Sequence, residues 1–109
     1  MCDFNNLSAD ENGFILQCKS CRNYQIGFGS VLFSLNKTDY KKFCLMIADI
    51  SEKDFNHERS NTRHIVIPTP YYGVNLLLCK FEILQLKDLI NSAEQEEVTR
   101  SMLALFSNN

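Results

Sequence analysis

Cys18-Lys19-Ser20-Cys21 is the stretch of this sequence whose residue types and spacing point most directly to a chemistry. Two thiolates three positions apart across a tight turn can both reach one tetrahedral Zn2+ at about 2.3 Å, the arrangement of a zinc knuckle. Strand-like segments on both sides, Phe14–Gln17 and Tyr24–Phe28, put that turn at a hairpin tip. A knuckle ordinarily carries Gly after its second Cys, where the backbone needs positive φ. Arg22-Asn23 stand there instead, and Asn23, which tolerates left-handed geometry, is the expected substitute. A closed site needs four ligands, and no second Cys-x-x-Cys follows. Candidate further ligands are Cys2, His57 and His64, or a second chain that shares the ion. The plain alternative is a pair of reduced thiols on a turn. A thiol-dependent redox role is a third reading, weaker because redox pairs sit at a helix N-terminus whereas a strand pattern follows here. Cys44 and Cys79 fall at positions that read as core and cap.

Ile67-Pro68-Thr69-Pro70-Tyr71-Tyr72-Gly73 is the second segment of interest. The prolines bias it to extended geometry, and Pro68, Pro70, Tyr71 and Tyr72 are the candidate partner-binding residues. The bland reading is a connector whose tyrosines close the core. Lys19, Arg22, Lys37, Lys41 and Lys42, with Tyr24 and Phe28 near them, would be the elements of a nucleic-acid accessory role. A formal net charge of -2 argues against it, and the lysines fit a solvated helix face. Gly-rich phosphate loops, hydrolase triads and His-Glu-x-x-His helices are missing. Asp39 and Glu82 read as first-turn helix charges.

The elements that must position these residues follow from periodicity. Residues 1–12 are polar and read as an irregular lead-in. Phe14–Cys18, Tyr24–Phe28 and Val31–Leu35 read as three strands, and Asn36 as an N-cap. Tyr40, Phe43, Cys44 and Ile47 form one helical stripe ending near Ile50. Residues 51–62 read as an exposed, mobile loop. His64–Ile67 and Val74–Leu78 give two more strands. A second helix starts near Lys80 on Ile83, Leu86 and Ile90, to end at Asn91-Ser92 or to continue through the acidic Glu94–Glu97. The apolar Met102–Phe106 is expected to pack as a final turn. Phe28-Gly29 through Ile47 and Tyr72-Gly73 through Ile90 share one pattern of aromatic-Gly, strand, cap and helix. It fits either an internal duplication or the common physics of such units.

With 109 residues, 45% hydrophobic and 22% charged, the chain reads as a single domain spanning 1–109. The expected fold is α+β: an antiparallel or mixed sheet of about five strands with two helices on one face, in two related strand-turn-helix halves. The start of the sequence has no signal-peptide pattern, and no apolar run approaches the roughly 20 residues of a membrane span. The five cysteines are therefore expected to be reduced or metal-bound, in a cytoplasmic protein.

In order, the Cys-x-x-Cys hairpin, the Phe-Gly-x-Val-Leu segment and the Ile-Pro-Thr-Pro-Tyr-x-Gly segment resemble a family of small uncharacterised bacterial proteins. Cys18, Cys21, Phe28, Gly29, Pro68, Pro70, Tyr71 and Gly73 carry the likeness. It implies a bacterial cytoplasmic protein and transfers no catalytic residue. The function expected from the residues is non-enzymatic binding, with another protein or a second copy as partner and Zn2+ as the one candidate cofactor.

Overall fold

A computed structural model describes residues 3–53 and 61–107. Eight elements follow one another along the chain: β1 (Phe4–Asp10), β2 (Gly13–Cys18), β3 (Tyr24–Phe28), β4 (Val31–Leu35), α1 (Lys37–Ser51), β5 (Ile65–Pro68), β6 (Asn75–Leu78) and α2 (Lys80–Ser107). β1 to β4 form an antiparallel meander, and β5 and β6 form a separate hairpin. The fold class is α+β as expected, with the strands divided between two sheets and one strand more than the five anticipated.

That extra strand corrects the reading of residues 1–12 as irregular. Phe4–Asp10 pairs along β2, with a register shift between Asn6 and Ser8. The bulge breaks the in-out alternation, so Leu7 and Ser8 are both buried while Asn6 and Ala9 are exposed. Asn and Asp have low strand propensity; here α2, packed over β1, supplies the apolar cover that the strand's own composition lacks. Asp10 closes the β1–β2 turn, its Oδ1 accepting from the backbone N–H groups of Asn12 (2.7 Å) and Gly13 (3.2 Å).

Alternation in the central strands sends Ile15, Tyr24, Ile26, Phe28 and Leu35 to the helix-covered face. α1 meets them with Tyr40, Phe43 and Ile47, and α2 with Ile83, Leu86, Leu89, Ile90 and Ala93. Burying each large aliphatic contributes roughly 1.5–3 kcal/mol. Ile65, Ile67, Leu76 and Leu78 of the β5–β6 hairpin join the same core. On the far face of the meander the Phe14 ring lies over Gly27, where a Cβ would stand 2.4 Å from the ring. Gly29 and Gly73, the glycines of the two repeated patterns, both have positive φ (59° and 77°).

The two strand-turn-helix units are capped by opposite halves of one device. Asn36 Oδ1 accepts from the Asp39 N–H at 2.8 Å, whereas Glu82 Oε1 accepts from the Cys79 N–H at 3.1 Å. Lys80 joins the helices end to end, its ammonium donating to the carbonyls of Ser51 (2.6 Å) and Lys53 (2.8 Å). That places a cation on the C-terminal turn of α1, which has no basic residue of its own.

α2 does not stop at Asn91-Ser92; it runs unbroken through the acidic segment to Ser107. Arg100 ties it to the body, donating to the Asn6 carbonyl (3.4 Å), and pairs with Glu96 (2.9 Å). Met102–Phe106 is helical as expected, but instead of packing it stands exposed, as does every residue from 98 to 107. The expected burial is missing.

Candidate functional site

The β2–β3 connection supplies the Cys pair. Arg22 N–H donates to the Cys18 carbonyl (3.0 Å) and Cys18 N–H to the Asn23 carbonyl (2.8 Å), closing the turn from both sides. Arg22 itself, rather than Asn23, takes the left-handed conformation, with φ 67°, the only positive φ among the described non-glycine residues. The Cys21 N–H points at Cys18 Sγ (3.5 Å), and Ser20 Oγ lies 3.2 Å from the same sulfur. Cys18 is buried and Cys21 is exposed. The turn stands between two strands and not at a helix N-terminus.

Of the further ligands proposed from sequence, His64 alone lies among the described residues, and it stands away from the Cys turn. His64 is held at the start of β5, its N–H donating to the Leu78 carbonyl and its Nδ1 2.8 Å from the Thr62 carbonyl. Its neighbour Arg63 lines a cleft of about 140 Å3 with Phe28, Gly29 and Val31, at the opposite end of the meander from Cys18. Among the described residues no three His, Cys, Asp or Glu side chains are grouped to hold a metal ion. Cys2 and His57, like most of the loop expected at 51–62, lie outside the described residues. The Asp3 carbonyl accepts from the Lys19 N–H at 2.8 Å, so the chain one residue after Cys2 lies alongside the Cys turn.

The Pro68–Gly73 segment forms the tip of the β5–β6 hairpin. Thr69 organises it, its hydroxyl donating to the Val74 carbonyl (2.6 Å) and accepting from the Tyr71 N–H (3.2 Å). Tyr71 hydroxyl donates to the Ser34 carbonyl at the end of β4, fastening the tip to the meander. Tyr71 thus has a structural duty, while Tyr72 is completely exposed and Pro68 and Pro70 face solvent.

A groove that sequence reasoning did not find opens between α1 and α2. It encloses about 310 Å3 over a floor of Tyr24, Tyr40 and Cys44, with Lys37 and Lys41 on the α1 wall and Lys87, Glu94 and Glu97 on the α2 wall. The Tyr24 and Tyr40 rings stack face to face, 3.7 Å between centroids and 4° from parallel. Tyr24 hydroxyl donates to Glu97 Oε2 at 2.7 Å, linking β3 to the late turns of α2. Burial, then the hydrogen-bonded carboxylate of Glu97, raises the Tyr24 phenol well above its ordinary value. Burial does the same to Tyr40, with Cys44 adding to it. The Cys44 thiol is pushed up to about 11 by burial and by the charges of Glu94 and Glu97, against the Tyr40 hydrogen bond that lowers it. All three groups therefore hold their protons at neutral pH and present neutral donors, so they are neither bases nor nucleophiles there. Among the described residues none of the three lysines is in a salt bridge.

Tyr40 and Cys44 were legible only as members of an apolar stripe. Their second role needs the register that brings Tyr24 over Tyr40, and the extension of α2 that brings Glu97 to Tyr24. An inward carboxylate on an acidic helix stretch is invisible when Glu94, Glu96 and Glu97 look alike in sequence.

The remaining charged cluster is structural. Arg63 grips Glu82 through two parallel bonds, Nε to Oε1 (3.0 Å) and Nη2 to Oε2 (2.9 Å), which holds that carboxyl below its ordinary value. Since Glu82 also caps α2, its charge is spent on the fold, as expected from its first-turn position.

No helix of the described residues is long and apolar enough to cross a membrane. Comparison with curated proteins and with solved structures gives no significant match. A protein-family model matches residues 1–107, and the chain belongs to that family, DUF6686, a family of unknown function.

Proposed function

We propose that this member of the family is a small non-enzymatic binding protein, with the groove between α1 and α2 as its ligand seat. The observation that carries the reading is the floor of the groove: a stacked pair of neutral phenols beside a neutral thiol, under three lysines that pair with no described carboxylate. Such a surface attracts a molecule with a flat apolar part and an acidic group. The buried rings close the bottom of the groove, Leu45 and Ala48 give it an apolar wall, and the ammonium groups supply a counter-charge. At about 310 Å3 the space suits a small molecule, at the low end of ligand cavities.

An aromatic sulfonate such as 1-anilinonaphthalene-8-sulfonate is the simplest probe of that chemistry. In a 15N-NMR titration its shifts are expected to gather on residues 37–48 and 87–97, and to weaken as salt rises. Ala48→Trp fills the groove wall without touching the core and is expected to abolish those shifts. Shifts confined to the exposed end of α2, or unchanged binding by Ala48→Trp, would sink the reading.

A second reading concerns the Cys turn, and the left-handed Arg22 together with the Cys21 N–H directed at Cys18 Sγ favours it. In it, Cys18 and Cys21 hold Zn2+, with Cys2 as third ligand because the following residue is bonded to Lys19. About one zinc per chain in protein purified without chelators, reduced in Cys2→Ser and lost in Cys18→Ser/Cys21→Ser, is the expected result. Metal-free wild type in zinc-supplemented medium would rule it out.

A further inference from the structure

The groove carries opposite charges on its two walls, and they are sorted along its length. Lys80, at the start of α2, donates to the carbonyls of Ser51 and Lys53 at the end of α1. Tyr40, early in α1, stacks on Tyr24, whose hydroxyl is bonded to Glu97 late in α2. The two helices therefore run in opposing directions, and the first turns of α1 lie beside the later turns of α2. At that end Lys37 and Lys41, one turn apart, share the α1 wall, while Glu94 and Glu97 share the α2 wall. Leu45 and Ala48 continue the α1 wall away from them, with the half-buried Lys87 on α2. Yet among the described residues no ion pair spans the groove. Glu97 is bonded to Tyr24, and the charged groups of Glu94, Lys37 and Lys41 have no described partner.

We infer that the ligand of this groove is a free aromatic α-amino acid, its carboxylate held by Lys37 and Lys41, its ammonium by Glu94, and its side chain along Leu45 and Ala48. The inference rests on the groove being the ligand seat, and it adds an amine to the acidic group and flat apolar part already required. Charge complementarity selects the zwitterion. A simple acid brings its negative charge against Glu94 and Glu97, and a simple amine brings its positive charge against Lys37 and Lys41. A dipolar head, with both groups on one carbon atom, pairs with the two walls at once. The field of the carboxylates reaches the floor, where burial comes first and both Glu94 and Glu97 add to it in raising the Cys44 thiol. The phenols and the thiol, being neutral, set no competing charge beneath the head group. A space of about 310 Å3 is that of one small molecule, with apolar surface at Leu45 and Ala48 for a ring.

Three small molecules on one skeleton test this by 15N-NMR titration of the full chain. L-Phenylalanine carries both groups, 3-phenylpropionate lacks the amine, and 2-phenylethylamine lacks the carboxylate. Phenylalanine is expected to shift residues 37–48 and 87–97 and to bind about tenfold tighter than either analogue, the difference being one charge-assisted contact. In Glu94→Gln its advantage over 3-phenylpropionate should vanish. In Lys37→Gln/Lys41→Gln its advantage over 2-phenylethylamine should vanish. All three side chains are exposed, so the urea midpoints of both variants should match wild type, which separates a lost contact from a lost fold. Equal or tighter binding of either analogue would overturn the inference, and so would an advantage over 3-phenylpropionate that survives in Glu94→Gln. Groove shifts with 1-anilinonaphthalene-8-sulfonate but none with phenylalanine would overturn it and leave the ligand seat standing. No groove shifts with any of the four compounds would bring down the seat as well.

Discussion

Arg22 occupies left-handed backbone space at φ 67°, and replacing it by glycine should stabilise the protein. For an L-residue that conformation costs about 1–2 kcal/mol, because Cβ crowds the neighbouring carbonyl; glycine bears none of it. Against the gain stands the larger conformational freedom of glycine in the unfolded chain, about 0.4–1 kcal/mol. Nothing else changes much. The side chain is exposed, and the bonds that define the turn, Arg22 N–H to the Cys18 carbonyl and Gln17 Nε2 to the Arg22 carbonyl (3.2 Å), use backbone atoms of residue 22 that glycine keeps. The net expectation for Arg22→Gly is about 0.5–1 kcal/mol of added stability, or roughly 2–6 °C in Tm. Urea unfolding in chelator and reductant isolates the backbone effect from any metal. Arg22→Ala, which keeps Cβ, should stay within about 0.5 kcal/mol of wild type, and Arg22→Val should lose stability because branching at Cβ worsens the same clash. If Arg22→Gly were less stable than wild type, or Arg22→Ala gained as much, the left-handed turn at residue 22 would be wrong, and the knuckle-like reading of the hairpin would go with it.

Three further outcomes follow from packing and titration. Gly27→Ala should destabilise by about 1–3 kcal/mol, since the new methyl meets the Phe14 ring at 2.4 Å, and Phe14→Leu should recover part of the loss in a double-mutant cycle by urea titration. Stability should fall as pH rises from about 9 towards 11. The unfolded chain releases the Cys44 proton near the ordinary value of 9.0 while the folded chain holds it to about 11, so the stabilisation is fully present below pH 9 and lost above. Cys44→Ala should delay the onset of that decline to about pH 10, where the raised phenols of Tyr24 and Tyr40 begin to contribute in the same direction; the urea midpoint between pH 8 and 10.5 measures it. Tyr24→Phe should cost about 1–2 kcal/mol in thermal unfolding, because it strips Glu97 of its donor in a half-buried place.

Much of the architecture was readable because it follows local rules. The period-two runs at Tyr24–Phe28 and Val31–Leu35, the Asn36 cap and the stripe through Tyr40, Phe43 and Ile47 each carry their own signal within a few residues. β1 was not readable, because its strand state is imposed from outside. Its residues are poor strand formers, its alternation is broken at Leu7, and α2, some ninety residues later, supplies the cover. The left-handed residue was misplaced by one position because propensity favours Asn23, whereas the hydrogen bonds of the turn select position 22. Candidate site residues fared similarly. The Cys turn declares itself by spacing, but the groove joins Tyr24, Tyr40 and Glu97 across 73 residues of chain, and only the assembled fold brings them into contact.

Lys80 has a consequence for how the molecule breathes. Its ammonium closes the last turn of α1 while its own backbone begins α2, and the next anchoring carboxylate, Glu82, is held by Arg63 at the entrance to β5. Three segments far apart in sequence thus share a hinge of two side chains, so none can fray alone: losing the clamp frees the carbonyls of one helix and unseats the first turn of the other. Amides of the last turn of α1 and the first turn of α2 should therefore exchange with solvent with one common opening free energy, as a single cooperative unit. The 28-residue helix then acts as a transmission shaft, fixed at its first turn by this clamp.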